Sequence, residues 1–342
     1  MSTVGLPKPT WLPSVRLQAP GKLNLFLEIT AKRRDGYHEL LTLMVTVSLY
    51  DTVVVSPEAG GTCQLVCDWS TGRRAMKKAA REPAASVWEE LPEGQQNLAY
   101  RAAQWAVGQS AGMQGVRIWL WKRIPSLAGF GGASSDAAAV LKAAAYLRTE
   151  LSHERLFEAA AALGSDVAFF VNGPAALATG RGEKLQPVRP VPLYHFVVVR
   201  PVVGLSTAEV YRRCRLPSQP RSIQPTLEAF CSGDPVQLGK TLFNRLQEAA
   251  RQINPWIARL EKLLARCGFL GFQMTGSGSS FFGLCRHARH ARRAAAWLRS
   301  MGIGAVYHVT TVARGSLGTG GTPQGDCHGN HRGAHQVDGE HG

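Results

Sequence analysis

The sequence predicts an α+β protein built from two domains. Its 342 residues are enough for two domains of about 100–200 residues each. Segments with the alternation typical of strands occur in both halves, together with segments of helical spacing. A proline cluster at residues 187–192 precedes a new strand at residues 195–199, so we place the domain boundary there. The N-terminal domain then spans residues 1–190 and the C-terminal domain residues 191–314.

The elements of the first half follow from residue type and periodicity. Strands are predicted at residues 15–17, 23–30, 40–50 and 116–121, where β-branched, aromatic or alternating apolar residues dominate. Helices are predicted at residues 97–107 and in the alanine-rich segment 137–148. A polar, basic stretch at residues 69–92 contains glycine and proline and is predicted to be an insertion.

The second half shows the same mixture. Helices are predicted at residues 235–253, 255–267 and 287–299, and strands on both sides of residues 275–280 and at residues 305–312. Residues 315–342 are dense in glycine and histidine, and we predict a disordered tail. The histidines of this tail lack a fixed ligand spacing, so no metal site is predicted there.

Composition narrows the class of protein. Apolar residues make up 45% of the chain and charged residues 18%, which is normal for a globular protein. No apolar run reaches the roughly 18 residues of a membrane span, and the first 20 residues lack the apolar core of a signal peptide. The seven cysteines form no CxxC pair, which favours free thiols in a reducing compartment. We therefore expect a cytoplasmic protein.

The net charge of +15 leaves two kinds of partner open. Basic residues cluster at four places, residues 32–34, 73–81, 212–221 and 286–293. Such a field attracts nucleic acid, but it also attracts small polyanions such as nucleotides. Solvated arginine-rich surfaces explain the same pattern.

A glycine-rich loop at residues 125–135 is the most informative segment. It follows a predicted strand and leads into the alanine-rich helix, with Ser134, Ser135 and Asp136 as predicted capping residues. Backbone N–H groups and the positive end of a helix dipole at such a junction bind phosphate. No Gly-Lys-Ser or Gly-Lys-Thr follows, so this is not a Walker A loop. A serine-capped turn without a ligand is the structural alternative.

Two further residues carry chemistry that phosphoryl transfer needs. Lys22 lies in an apolar strand, and Asp166 follows a Gly-Ser turn before another apolar run. A solvated lysine and a helix N-cap are the ordinary explanations of such positions. Phosphoryl transfer to a hydroxyl, however, needs a carboxylate to accept the proton and a cation to stabilise the transferred group.

The segment with Lys22, the glycine-rich loop and the segment with Asp166 occur in the order and approximate spacing of the GHMP kinase superfamily. The chain resembles this superfamily from about residue 20 to residue 312. The strand that contains Lys22 and Asn24, followed by Arg-Asp-Gly-Tyr-His at residues 34–38, is similar to the 4-diphosphocytidyl-2-C-methyl-D-erythritol kinase family. That resemblance implies a ribosomal-S5-like N-terminal domain, a ferredoxin-like C-terminal domain and an active site between them. It also implies ATP-dependent phosphorylation, with Mg²⁺, of the 2-hydroxyl of a cytidine diphosphate ester in isoprenoid biosynthesis.

The resemblance assigns roles to individual residues. Asp166 would activate the substrate hydroxyl and Lys22 would stabilise charge beside it. The substrate would contact Asn24, Tyr37, His38, Thr207 and Tyr211, with Tyr37, His38 and Tyr211 around the cytosine ring. ATP would contact Asn97 and Lys122 near the adenosine, and Pro125, Ser126, Leu127, Ala128, Gly129, Phe130, Gly131, Gly132, Ala133, Ser134 and Ser135 at the phosphates. Residues 275–280 would shape the active-site floor. No resident metal ligands are implied.

The chain departs from the family pattern at several positions. Leu127, Ala128 and Ala133 stand where glycine is common, which predicts strain wherever the loop needs a positive φ. Ala168 replaces a common proline, and Arg245 and Gln247 replace acidic residues. Two alternatives remain, another GHMP kinase acting on mevalonate, homoserine or a sugar, and a catalytically weak relative that binds nucleic acid. We expect a monomer or homodimer with no membrane partner.

Overall fold

A computed structural model describes residues 14–70, 91–109, 115–126, 128–147 and 151–313. Most of the predicted insertion, the loop residue Leu127 and the predicted tail lie outside these described residues.

The N-terminal half is built on one mixed sheet in the order β3-β4-β2-β1-β8, with β5 paired to β2 and β6 paired to β5. Most neighbouring strands are antiparallel, whereas β3–β4 and β1–β8 are parallel. The strands are β1 (Val15–Lys32), β2 (His38–Glu58), β3 (Cys63–Trp69), β4 (Gly115–Lys122), β5 (Ala175–Gly180), β6 (Lys184–Pro187) and β8 (Phe243–Asn244).

Strand β1 is one continuous element, although the sequence predicted two separate strands. The register with β2 shifts between Pro20 and Gly21, whose partners are Tyr50 and Val47, so the extra residues lie in β2. Such an irregularity disrupts the ladder only locally, and β1 does not end at the proline. The strand therefore continues directly into Lys22 and Asn24 after this irregularity.

Helices cover one face of this sheet. They are α1 (Leu98–Gly108), α2 (Gly132–Leu147), α3 (His153–Leu163) and α4 (Ser165–Asn172), and they share one apolar core with β2, β4 and β5. Helix α2 packs mainly through alanines, whose small side chains let it approach the sheet closely. It begins at Gly132, five residues before the predicted start. The prediction that Ser134, Ser135 and Asp136 are caps is therefore wrong, because all three lie within the helix.

The C-terminal half contains a second, antiparallel sheet in the order β11-β7-β10-β9. Its strands are β7 (His195–Pro201), β9 (Gly271–Met274), β10 (Phe281–Cys285) and β11 (Gly304–Thr310). Its helices are α5 (Thr207–Arg213), α6 (Gln224–Ser232), α7 (Pro235–Thr241), α8 (Leu246–Ile253), α9 (Trp256–Ala265) and α10 (Ala288–Ser300).

The second half also contributes to the first sheet. The helix predicted over residues 235–253 is interrupted between α7 and α8, where β8 pairs with Phe26 and Leu27 of β1. Through this short strand the C-terminal half pairs with β1, the strand that contains Lys22 and Asn24. The chain contains no helix, within the described ranges, that is long and apolar enough to cross a membrane.

Candidate active site

Lys22 and Asp166 lie side by side, as the predicted catalytic pair requires. Lys22 Nζ is 3.7 Å from Asp166 Oδ2. Lys22 belongs to β1 and is buried, whereas Asp166 lies in the first turn of α4 with 39% of its side chain exposed. The carboxylate therefore faces a space that a substrate can enter, while the ammonium is held beneath it.

Asn24 fixes the position of the Lys22 ammonium. Lys22 Nζ donates a hydrogen bond to Asn24 Oδ1 at 2.8 Å, and Asn24 Nδ2 donates to Thr42 Oγ1 at 2.9 Å. Thr42 Oγ1 in turn donates to the Phe26 carbonyl at 2.6 Å. A buried chain of donors and acceptors holds each member in one orientation. Asn24, predicted to contact the substrate, thus lies beside the pair and orients the lysine.

The glycine-rich loop packs directly on this pair. The Lys22 N–H donates to the Phe130 carbonyl at 2.8 Å, which ties the loop to β1. Gly129 and Gly131 have φ values of +77° and +70°, a region that other residues rarely adopt. A Cβ on Gly129 would lie 2.6 Å from the Thr275 carbonyl oxygen, and one on Gly131 would lie 2.9 Å from the Phe170 ring. Both positions require glycine.

The strain predicted at Ala133 does not arise. Ala133 lies in the first turn of α2 and has helical backbone geometry. Helix α2 begins at the end of the loop, so its first N–H groups lie at the junction where phosphate was predicted to bind.

Lys122 is buried between two carboxylates. Its Nζ donates to Asp136 Oδ2 at 2.5 Å and also to Asp51 Oδ2. Burial disfavours the charged ammonium, but Asp136 and Asp51 outweigh it and raise the pKa of Lys122. Burial raises the pKa of Asp136 well above its usual value. Asp51 Oδ1 accepts from the Ile124 N–H at 2.8 Å, so this network holds the start of the glycine-rich loop.

Asn97 caps a helix. Its side-chain oxygen accepts a hydrogen bond from the Ala99 N–H at 2.9 Å, and its amide donates to the Pro92 carbonyl at 2.9 Å. This is the usual arrangement of an Asn N-cap. The contacts of Asn97 and Lys122 with ATP stay predictions from the resemblance, and both side chains are engaged in the fold.

Two of the three residues predicted to bind cytosine, His38 and Tyr211, lie in contact with each other. The His38 and Tyr211 rings lie with centroids 5.3 Å apart at 42°. Tyr37 is 58% exposed. Burial, and then the nearby Lys32, lowers the pKa of His38, so its imidazole is neutral at pH 7. Burial, followed by the charge of Asp166, raises the pKa of Tyr211 to about 12.

The predicted glycine-rich turn at residues 275–280 closes the cleft from the C-terminal half. Thr275 Oγ1 accepts from the Asn24 N–H at 3.2 Å, and a Cβ on Gly276 would lie 3.7 Å from Lys22 Nζ. Thr207 Oγ1 and Ser277 Oγ are hydrogen-bonded at 2.8 Å, which joins the predicted substrate residue to this turn. The turn therefore lies against the catalytic strand.

Sequence reasoning missed two residues at this site. Asn244 Nδ2 donates to the carbonyls of Met274 and Gly276 at 2.7 and 2.9 Å and so shapes the turn. The Arg181 guanidinium lies 5.1 Å from the centre of the Tyr37 ring. Asn244 lies next to Arg245 and near Gln247, the two positions where the family commonly has acidic residues, and this could have pointed to it. Nothing in the local sequence distinguishes Arg181 from other surface arginines.

Comparison with known proteins agrees with this arrangement. The family of GHMP kinases N terminal domains matches residues 97–174, and that of GHMP kinases C terminal domains matches residues 226–304. A 4-diphosphocytidyl-2-C-methyl-D-erythritol kinase of Pelotomaculum thermopropionicum is 37% identical over 82% of this chain and 92% of its own length. One from Desulfitobacterium hafniense is 36% identical over 89% of this chain and 98% of its own length.

Solved structures show the same relationship. A crystal structure of 4-(cytidine 5'-diphospho)-2C-methyl-D-erythritol kinase, 36% identical, superimposes with a TM-score of 0.71 over 86% of this chain and 98% of that chain. A homoserine kinase from Cytophaga hutchinsonii, 17% identical, superimposes with a TM-score of 0.64 over 90% of this chain and 98% of that chain, which shows a common fold. The predicted two-domain α+β GHMP kinase fold is confirmed. The chain therefore belongs to the 4-diphosphocytidyl-2-C-methyl-D-erythritol kinase family of the GHMP kinases.

Proposed function

We propose that the protein transfers the γ-phosphoryl group of ATP to the 2-hydroxyl of 4-diphosphocytidyl-2-C-methyl-D-erythritol, a step of the non-mevalonate route to isoprenoid precursors. The observation that carries the proposal is the Lys22–Asp166 contact of 3.7 Å beside the glycine-rich loop. It joins a proton acceptor, a cation and a phosphate-binding backbone in one cleft, which is the set of groups that phosphoryl transfer to an alcohol needs.

The reaction assigns one step to each group. The substrate hydroxyl oxygen attacks the γ-phosphorus, the bond from that phosphorus to the β,γ-bridging oxygen breaks, and ADP leaves. Asp166 accepts the hydroxyl proton, for which its exposed carboxylate is placed. Lys22, oriented by Asn24, stabilises negative charge on the transferring group and on the developing alkoxide.

The cytidine end of the substrate is assigned to His38, Tyr37 and Tyr211. A neutral imidazole both donates and accepts, so His38 can bond the edge of a cytosine ring. The tilted His38–Tyr211 pair provides aromatic surface on which the base can stack. Thr207 is placed by Ser277 at the same end of the cleft.

Mg²⁺ would reach the site as part of the co-substrate Mg-ATP. Within the described ranges there is no group of three or more His, Cys, Asp or Glu side chains able to hold a metal ion. Ser135 Oγ lies at the start of α2, buried and without a hydrogen-bond partner among the described residues. A hydroxyl oxygen is among the oxygen ligands that Mg²⁺ prefers, so this end of the loop suits the metal of the nucleotide.

The cytoplasmic location remains a proposal from the cysteine pattern. The six cysteines within the described ranges are all free thiols, which is compatible with a reducing compartment.

A coupled ADP-release assay tests the function. Purified protein with Mg-ATP is given 4-diphosphocytidyl-2-C-methyl-D-erythritol, mevalonate, homoserine or galactose in parallel. We expect turnover only with the cytidyl compound, because the other acceptors offer no base for His38 and Tyr211. Comparable turnover with another acceptor would favour a different GHMP kinase activity. Neither that alternative nor nucleic-acid binding is favoured by the relatives found.

A further inference from the structure

Helix α4 carries Asp166 and Phe170 on one face. Asp166 lies in the first turn of the helix, and Phe170 follows four residues later. Residues four apart lie one above the other on a helix, so the two side chains project from the same side of α4. Asp166 Oδ2 lies 3.7 Å from Lys22 Nζ, while the Phe170 ring is buried. A displacement of Phe170 therefore moves the Asp166 carboxylate with it.

The Phe170 ring packs against the glycine-rich loop at Gly131. A Cβ built on Gly131 would lie 2.9 and 3.1 Å from Cε2 and Cζ of this ring, and 3.2 Å from Cγ of Lys22. Gly131 is therefore held between the ring and the lysine stem. The Gly131 carbonyl accepts a hydrogen bond from the Ser135 N–H at 2.9 Å, at the start of α2. The ring thus supports the backbone at the junction where phosphate is proposed to bind.

The position of Phe170 is itself fixed by its neighbours. Its carbonyl accepts a hydrogen bond from Lys142 Nζ of α2 at 2.7 Å. Its ring meets the ring of Phe169 edge to face, with centroids 5.1 Å apart. Both phenylalanines belong to the apolar core between the helices and the first sheet. Side chains in such a close-packed core have little freedom to shift, so the ring acts as a stiff spacer.

We propose that Phe170 is a positioning residue for phosphoryl transfer, which sets the separation between the Asp166 carboxylate and the glycine-rich loop at Gly131. This inference rests on the proposed function. The hydroxyl bound at Asp166 has to lie in line with the γ-phosphate bound at the loop, and a misplacement of about 1 Å costs roughly 100-fold in rate. Phe170 acts on this alignment through α4 on one side and through the loop backbone on the other.

Two phenylalanine variants of α4 separate positioning from stability. Phe170→Leu removes the ring that meets Gly131, whereas Phe169→Leu removes a neighbouring ring of the same core. Both should lower the unfolding temperature by similar amounts, because each leaves a space in that core. Turnover with Mg-ATP and the cytidyl substrate should fall roughly tenfold in Phe170→Leu and less than about twofold in Phe169→Leu. Calorimetric binding of one equivalent of Mg-ADP by each variant counts the competent molecules. Equal turnover per competent molecule would refute the positioning role.

A double-mutant cycle on Mg-ADP affinity tests the contact without any acceptor. Gly131→Ala sets a methyl group against the ring and should weaken Mg-ADP binding roughly tenfold in the wild-type and Phe169→Leu backgrounds. In Phe170→Leu the loss should be only about threefold, since the ring is gone and the strain at φ +70° is common to all backgrounds. Equal losses in all three would overturn the proposal. Coupling at Gly131 in a protein that does not turn over the cytidyl compound would support the contact and contradict the proposed function.

Discussion

Arg245 and Glu28 form a two-point ion pair that joins the two halves of the chain. Arg245 Nε lies 2.7 Å from Glu28 Oε1, and Arg245 Nη2 lies 2.7 Å from Glu28 Oε2. Glu28 is fully buried in β1, and it also accepts hydrogen bonds from the N–H groups of Ile29 and Arg221. The arginine that departs from the family pattern therefore has a defined partner, and Gln247 likewise bonds the Met274 N–H at 2.9 Å.

Removing Arg245 should destabilise the fold. Arg245→Met leaves the Glu28 carboxylate buried without its cation, which costs about 3–5 kcal/mol. The free energy of unfolding from urea titration at neutral pH measures this loss. The double variant Glu28→Gln, Arg245→Met should recover a large part of it, because no unpaired charge remains. Equal instability of the single and double variants would mean that the charge pair is not the cause.

The network under the glycine-rich loop should control ATP binding. Asp51→Asn weakens the contact with Lys122 and with the N–H groups of Arg123 and Ile124, so the loop start is held less firmly. We expect the Michaelis constant for ATP to rise roughly tenfold, with a smaller change for the alcohol substrate. Glu154→Gln, at an exposed carboxylate on α3, is the control. An unchanged Michaelis constant for ATP in Asp51→Asn would show that this network does not control ATP binding.

Gly129 should tolerate no side chain. Gly129→Ala places a Cβ at φ +77° and 2.6 Å from the Thr275 carbonyl oxygen, so the loop or the turn must shift. Turnover should fall roughly 100-fold, since catalytic geometry is sensitive to displacements of about 1 Å. Gly60→Ala has a similar backbone strain at φ +104° but meets nothing within 4 Å. Its turnover should stay near that of the wild type, and similar losses in both variants would argue against the close approach.

Stability should fall in mild acid because of a half-buried histidine pair. The His195 and His308 rings stack at 5.8 Å, and their Nδ1 and Nε2 atoms respectively have no hydrogen-bond partner among the described residues. Burial, together with neighbouring charges including Arg292, lowers both pKa values below 6.5. Below about pH 6.5 the unfolded chain therefore binds more protons than the folded chain. The contribution of this pair to the free energy of unfolding is fully present above about pH 6.5 and is lost as the pH falls below it.

The unfolding temperature between about pH 7.5 and 5 measures this effect. The paired variant His195→Gln, His308→Gln should flatten the fall, while Tyr146→Gln, at an exposed site on α2, should keep it. A decline of the same steepness in all three proteins would assign it to other groups.

Much of the fold could be predicted because it rests on local signals. The helices α1 and α10 and the strands β4, β7 and β10 follow from periodicity and lie close to the predicted bounds. Strand β8 has two residues, too few for any periodic pattern, and so it was assigned to a helix. The early start of α2 was missed because two glycines conceal it, although Gly132 adopts helical geometry there.

The residues of the candidate site, like the elements of the fold, were only partly predictable from local sequence. Lys22 and Asp166 are 144 positions apart, and only the resemblance to a known family brought them together before the structure did. The partner of Arg245 lies 217 positions away in sequence, so no local pattern identifies it. The burial of Lys122 between Asp51 and Asp136 was equally hidden, because a lysine at the end of a strand is usually exposed.

The variant Asp166→Asn examines whether Asp166 accepts the substrate proton beside Lys22. The substitution keeps the shape of the side chain and removes its basicity. We predict that turnover with Mg-ATP and 4-diphosphocytidyl-2-C-methyl-D-erythritol falls by about 100- to 10,000-fold, while ATP affinity changes by less than about twofold. Turnover near the wild-type value, in a variant that still binds ATP, would contradict the role of Asp166 as the base.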